Sequence, residues 1–113
     1  MALPDQAIDR VALYFRALSD PTRLRILNAL RAASHSVGEL TEIAQCSQAN
    51  VSKHLRVLAE AGIVTRTARG TTTEVGVADP AIYELCNLVC DSVARDLEKD
   101  LAVHRALRPQ KRR

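Results

Sequence analysis

Residues Ser36 to Gly62 read SVGELTEIAQCSQANVSKHLRVLAEAG, and this stretch decides the fold. Ser36-Val37-Gly38-Glu39 has the composition of a capping box: the Ser hydroxyl caps the helix and the Glu three residues on reaches back. The box opens a short helix with Leu40, Ile43 and Ala44 expected to face inward. Gln45-Cys46-Ser47 is the expected turn, and Ser47 can cap the helix that follows. On that second helix Val51, Leu55 and Leu58 form a narrow apolar stripe at helical spacing. Ala49, Lys53 and Arg56 fall opposite the stripe, with Asn50 and Ser52 on its flanks. Gly62 ends the helix as a left-handed residue past its C-terminus. Two helices joined by a tight turn, the second polar on the face that a core would not use, make a helix-turn-helix.

Upstream, Ile8, Val11, Ala12, Phe15 and Leu18 recur at helical spacing and predict a first helix from about Asp5 to Leu18. Asp20-Pro21 is a helix start, with Asp as N-cap and Pro in the first turn. The helix TRLRILNALRAA that follows is expected to bury Leu24, Leu27 and Leu30, with Ile26 and Ala33 on its flanks. Arg23, Arg25 and Arg31 are expected on a solvated face. Downstream, IVTRTARGTTTEVGV is β-branched and alternating. Ile63 to Ala68 and Thr71 to Val77 would pair as a hairpin around Arg69-Gly70. Asp79-Pro80 is a second Asp-Pro start, opening a last helix from Pro80 to about Leu107. The tail RPQKRR, residues 108–113, is expected to be a frayed basic end.

The composition agrees with this reading. The chain has 113 residues, 47% hydrophobic but only 3% aromatic, with no Trp and one Phe. That length suits one domain, residues 1–113, with a core of Leu, Val, Ile and Ala between packed helices. So small a domain gains from a second subunit. A net charge of +3 permits a nucleic-acid partner without requiring one. No apolar run reaches the roughly 18 residues of a membrane span, and the first ten residues, MALPDQAIDR, lack an apolar signal core. A cytoplasmic protein is expected. Its three cysteines then read as free thiols, metal ligands or redox sensors rather than as a disulfide framework.

Four helices, a hairpin and a final helix, in the order α-α-α-α-β-β-α, make a mainly α winged helix-turn-helix with a small β-hairpin. Three stretches resemble the ArsR/SmtB family of bacterial metal- and stress-responsive repressors. FRALSDPTRLRILNAL is similar to that family's first landmark. SVGELTEIAQCSQANVSKHLRVLAEAGIVTRTARG is similar to its helix-turn-helix and wing, including the run at Ser52, His54 and Leu55. DPAIYELCNLVC stands where the final helix begins. The resemblance covers roughly Val11 to Leu101. It implies a homodimer joined through the first and last helices, both of which carry apolar stripes beyond what a small core needs. Family wings often carry a Tyr pair in the second strand. This chain has Thr73-Glu74-Val75-Gly76 there, which implies a shorter or less rigid wing.

The major groove of DNA admits one α-helix, whose N-terminal residues reach base edges. Here those are Ser47, Gln48, Ala49, Asn50, Ser52 and Lys53, with Arg56 on the same outer face. Gln48 and Asn50 can pair with adenine, Ala49 can touch a thymine methyl, and Ser and Lys can hold phosphate or a base acceptor. His54 lies beside the core stripe, where a packed histidine is the ordinary occupant; the resemblance adds a role as phosphate contact or helix brace. Arg66 and Arg69 in the wing suit phosphate or minor-groove contact as well as simple solvation. One such helix spans few base pairs, so a dimer on two-fold symmetric double-stranded DNA is expected.

On the last helix Cys86, Val89, Cys90, Val93, Leu97, Asp100, Leu101 and His104 share one broad face. Cys86 and Cys90 stand one turn apart, as do Asp100 and His104. If two copies paired antiparallel, Cys86 and Cys90 of one could meet Asp100 and His104 of the other. Sulfur, nitrogen and oxygen donors would then surround zinc or a similar ion, and two thiolates with a third ligand would suit a softer, thiophilic ion. The family's Asp-x-His pair at the start of this helix is absent, and so is its cysteine box on the helix before the reader; Cys46, in the turn, is the nearest substitute. The plainer reading is interface packing, since Cys behaves as a small hydrophobe. No cofactor is required by either reading. The leading expectation is a homodimeric repressor released by a metal, a metalloid or a thiol oxidant. The alternative is a ligand-independent DNA-binding or architectural module with structural cysteines. An enzyme is not expected, because no nucleophile–base order, Gly-rich phosphate loop or paired carboxylates stand out.

Overall fold

The structure is a computed structural model that describes residues 2–107. Its elements are α1 (Asp5–Leu18), α2 (Pro21–Leu30), β1 (His35–Ser36), α3 (Val37–Ala44), α4 (Gln48–Glu60), β2 (Val64–Arg69), β3 (Thr72–Val77) and α5 (Ile82–Leu107). Residues up to Pro80 form one compact unit, and the chain from Ala81 forms a second. The basic tail at 108–113 lies outside the described residues.

Each boundary has a local cause. The hydroxyl of Ser19 donates to Arg16 O at 2.8 Å, closing α1. Asp20 is extended, and its carboxylate accepts the Arg23 N–H at 3.1 Å, with Pro21 in the first turn of α2. This is the start that Asp20-Pro21 predicts. The α2 helix stops at Leu30, short of the expected Ala33, where the Arg31 N–H turns to Asn28 O. Both halves of the capping box form: Ser36 Oγ accepts from Glu39 N–H at 3.1 Å, and Glu39 Oε1 accepts from Ser36 N–H at 2.9 Å. Gln45 then takes a left-handed conformation, φ 54° and ψ 46°, and turns the chain toward α4. Gly62, at φ 78°, ends α4; its N–H bonds Ala59 O and that of Ile63 bonds Leu58 O. The left-handed turn is the conformation a glycine adopts without steric cost.

The sheet has three antiparallel strands in the order β1-β3-β2. The hairpin is close to its prediction, with Val64 opposite Val77 and Arg69 opposite Thr72 around Gly70-Thr71. Strand β1 was not expected. His35 pairs with Val75 and Ser36 with Glu74, so the wing's inner strand is fastened to the start of α3. Two residues are too few to show an alternating pattern in sequence.

The core of this unit is aliphatic: Ala17, Ile26, Leu27, Leu30, Leu40, Val51, Leu55, Leu58, Ile63, Val64 and Val75 are buried. Two expectations fail. Leu24 is 46% exposed and Ile43 44% exposed. On α2 the inward face runs through Arg23, Ile26, Leu27 and Leu30, spaced i, i+3, i+4, i+7, which leaves Leu24 beside it. On α3 the same spacing joins Val37, Leu40, Thr41 and Ala44 and excludes Ile43. On α1 the large apolar residues Ile8, Val11 and Phe15 remain exposed, and the ring of Phe15 meets Tyr14 edge to face, 6.4 Å between centroids.

In the second unit, α5 begins at Ile82, two residues later than expected. Its Leu88, Val89, Val93, Leu97, Leu101, Val103 and Leu107 are all exposed. No helix among the described residues is long and apolar enough to cross a membrane.

Candidate nucleic-acid interface

The α4 helix is presented by its cap. Ser47 is extended and its hydroxyl accepts the Asn50 N–H at 3.1 Å. This fixes the first turn, and the stripe Val51, Leu55 and Leu58 anchors the helix to the core. The opposite face is left open. Ser47, Gln48, Ala49, Asn50, Ser52, Lys53 and Arg56 are all exposed. Gln48 and Asn50 therefore offer amides, Lys53 and Arg56 cations and Ala49 a methyl, the set that base edges and phosphates can use.

Beside this face lies a concave, largely polar groove of about 370 Å³, lined by Ser36, Val37 and Gly38 at the start of α3, Gln48 and Ser52 of α4, and Thr71, Thr72 and Thr73 at the wing tip. Of its five hydroxyl groups, that of Thr72 donates to Arg69 O at 2.9 Å; those of Ser36, Ser52, Thr71 and Thr73 can donate to a phosphate oxygen. Of these, the sequence reading singled out only Ser52 as a contact. The threonine run at the hairpin tip was the available signal, and β1, which brings Ser36 there, was not legible.

In the wing both arginines are exposed. They differ in their surroundings. Arg69 Nε lies 2.6 Å from Glu74 Oε2. Arg66 stands opposite Val75, on the other face of the hairpin.

His54 is only 13% exposed, and its Nδ1 lies 3.1 Å from Arg23 Nη1 and 3.8 Å from Asp20 Oδ2. Here the expectation for Arg23 fails. It is half-buried, not part of a solvated face: Nε donates to Ala17 O at 2.6 Å and Nη2 to Arg16 O at 3.3 Å. The reason is its place on the buried spacing of α2; its stem follows the core while the guanidinium finds carbonyls at the end of α1. Asp20 is held below the ordinary carboxylate range, chiefly by the Arg23 N–H, against a raising effect of burial and with help from the charges of His54 and Arg23. Glu39 is lowered too, first by the Ser36 N–H and then by the Ser36 hydroxyl.

The thiols are free. Cys46, in the helix-turn-helix turn, and Cys86 are half-buried, and Cys90 is exposed. Cys86 and Cys90 are one turn apart on α5, and Asp100 and His104 are exposed on the same helix. At a rise of 1.5 Å per residue, Cys90 and Asp100 stand about 15 Å apart along the axis. One chain therefore cannot join the two pairs, and no group of three or more metal-ligating side chains exists among the described residues.

Comparison with known proteins agrees with this geometry. A helix-turn-helix domain model matches residues 18–67. The chain is 38% identical over 80 residues to a probable mercury resistance operon repressor of Streptomyces lividans, covering 71% of this chain and 64% of that one. It is 34% identical over 91 residues to the HTH-type transcriptional repressor SmtB of Mycobacterium tuberculosis, covering 80% and 65%. It is 36% identical over 98 residues to the uncharacterized HTH-type transcriptional regulator Rv0081 of that organism, covering 86% of each. The chain belongs to the ArsR/SmtB family.

Its fold is that of known ArsR/SmtB-type structures. The crystal structure of Rv0081 superposes with a TM-score of 0.77 at 32% identity, over 88% of this chain and 99% of that one. The homodimeric winged helix-turn-helix DNA-binding domain Mb0332 of Mycobacterium bovis, a possible ArsR-family regulator, superposes with a TM-score of 0.76 at 26% identity, over 88% and 95%. Two of the relatives this chain matches are named as repressors, of a mercury resistance operon and SmtB, and a third as an HTH-type transcriptional regulator. This chain spans a little under two thirds of the length of the mercury-resistance and SmtB repressors, 64% and 65%.

Proposed function

We propose that this chain is a homodimeric repressor that reads a two-fold symmetric operator and leaves it when a thiophilic ion, or an oxidant, reacts at Cys86 and Cys90. The observation that carries the inducer reading is the thiol pair itself: two free cysteines one turn apart, Cys90 exposed, on a helix whose large apolar residues from Leu88 onward are exposed. Two thiolates at that spacing suit a soft ion such as mercury(II) or a trivalent metalloid. The mercury-resistance repressor among its relatives supports that class of inducer.

Dimer formation is supported by the exposed stripes. Ile8, Val11 and Phe15 on α1, and Val89, Val93, Leu97 and Leu101 on α5, are each large apolar groups that a lone subunit leaves in water. In the dimer, α4 of each copy enters successive major grooves. Gln48, Ala49 and Asn50 meet base edges, while Ser47, Ser52, Lys53, His54 and Arg56 hold phosphates and Arg66 and Arg69 follow the flanking groove. The hydroxyl-lined groove beside α4 receives the sugar-phosphate strand. Asp100 and His104 of a second copy can complete the coordination of a harder ion such as zinc.

The test is release of the reduced protein from its own upstream DNA, titrated separately with mercury(II), zinc, arsenite and a thiol oxidant. At least one agent is expected to lower affinity tenfold or more in the wild type and not in the Cys86→Ser/Cys90→Ser variant. Equal release from both proteins, or release by none, would leave a DNA-binding module with structural cysteines.

A further inference from the structure

The three nitrogens of the Arg23 guanidinium are all engaged. Nε and Nη2 donate to the carbonyls of Ala17 and Arg16, the last turn of α1, and Nη1 faces His54 Nδ1 at 3.1 Å. A guanidinium has five N–H donors and no acceptor. The imidazole nitrogen that faces it must therefore accept, which places the proton of neutral His54 on Nε2. Among the described residues the one buried side-chain polar atom without a hydrogen-bond partner is His35 Nδ1, so Nε2 of His54 is not stranded in the core. We infer that Arg23 is a positioning residue for DNA binding: it fixes His54 as an Nε2–H donor aimed at a phosphate beside α4.

Asp20 sets the competing state. Its Oδ2 lies 3.8 Å from the same Nδ1 and already accepts the Arg23 N–H. A proton on Nδ1 would face the carboxylate and repel the guanidinium. Arg23 and Asp20 thus pull the ring toward opposite proton placements, and the shorter distance favours Arg23. Ordering the ring before DNA arrives removes a rotamer cost from binding. It also gives the phosphate a donor of known direction in place of a mobile one.

The inference rests on the reading that α4 meets DNA, and two measurements separate the two claims. The first uses the full chain without DNA. Long-range proton–nitrogen correlation of the His54 ring at neutral pH is expected to find Nε2 protonated and Nδ1 bare, and Arg23→Met, which keeps the stem but removes the donors, is expected to mix the tautomers. An Nδ1–H ring in the wild type, or no change in Arg23→Met, overturns the positioning role. The second uses a mixed-sequence 30-base-pair duplex at low salt. His54→Ala is expected to weaken binding about tenfold, and His54→Gln, whose amide N–H stands near the place of Nε2, to stay within about twofold of wild type. Arg23→Met is expected to cost most of what His54→Ala costs and little more in the His54→Ala background, since coupled residues do not add. Independent, additive losses mean that Arg23 serves only to cap α1 and overturn the inference. Unchanged affinity in His54→Ala overturns the phosphate contact alone, whereas a wild type that binds no duplex overturns the DNA reading as well.

Discussion

Arg69 and Glu74 form an ion pair across the hairpin, Nε to Oε2 at 2.6 Å, on the face of the wing opposite Arg66. Both side chains are at the surface, so the pair adds little to stability. Its effect is on the field of the wing: a carboxylate sits against one of the two cations that would meet phosphate. Glu74→Gln is expected to tighten binding to operator and random DNA alike, by about threefold to tenfold at low salt, and to steepen the salt dependence by about one counterion. Titration at two salt concentrations checks this; unchanged affinity would place Arg69 away from the DNA.

Lys53 and Gln48 are both exposed on α4, but their chemistry separates them. Lys53→Ala is expected to weaken all DNA and flatten the salt slope, because one phosphate contact and its released counterion are lost. Gln48→Ala is expected to lose about 1–3 kcal/mol on the operator and far less on random DNA, as a base reader does. Equal losses on both DNAs would remove Gln48 from the reading set.

Gln45 holds a left-handed backbone at the helix-turn-helix turn, a conformation that costs a side-chain-bearing residue roughly 1–2 kcal/mol. Gln45→Gly is expected to raise stability by about 0.5–1 kcal/mol after glycine's own entropy is subtracted. Urea denaturation reads the difference. A loss would mean that the Gln45 side chain contributes more than its backbone costs.

Asp20 titrates below its ordinary range in the folded chain. A lowered folded-state value means the charged form favours folding: its contribution is complete above the unfolded value, about 3.9, and fades as pH falls through the lower folded value. Asp20→Asn keeps a good N-cap and removes only the charge. The variant is expected to be slightly less stable than wild type at pH 7 and to lose stability less steeply below pH 4, so the two curves converge in acid. Parallel curves would show that the carboxylate's charge has no part in holding α2 and His54.

The helix-turn-helix was legible because its punctuation is chemical. Ser36, Glu39, Ser47 and Gly62 each announce a helix end, and each does what its side chain allows. The open face of α4 followed from the spacing of Val51, Leu55 and Leu58. Faces elsewhere were harder. On α2 the row of Leu24, Leu27 and Leu30 put Arg23 outside, while the true inward row begins with Arg23 itself; an arginine stem lines a core as well as a leucine does, and periodicity that counts only apolar residues overlooks it. Strand β1 exists because β3 offers an edge to His35 and Ser36, a nonlocal cause that two residues cannot advertise. The same blindness hid the hydroxyl groove, whose walls come from β1, α3, α4 and the tip of the hairpin.

The aliphatic core has a practical consequence for anyone observing this molecule with light. The chain has no Trp, and its two Tyr and one Phe are Tyr14 and Phe15 on α1 and Tyr83 on α5. From Pro21 to Val77, where the reading helix and the wing lie, there is no Trp, Tyr or Phe. Near-ultraviolet absorption, emission and dichroism therefore report on the first and last helices and are silent about the helix-turn-helix and the wing. A tryptophan introduced at the wing tip would give that region a signal of its own.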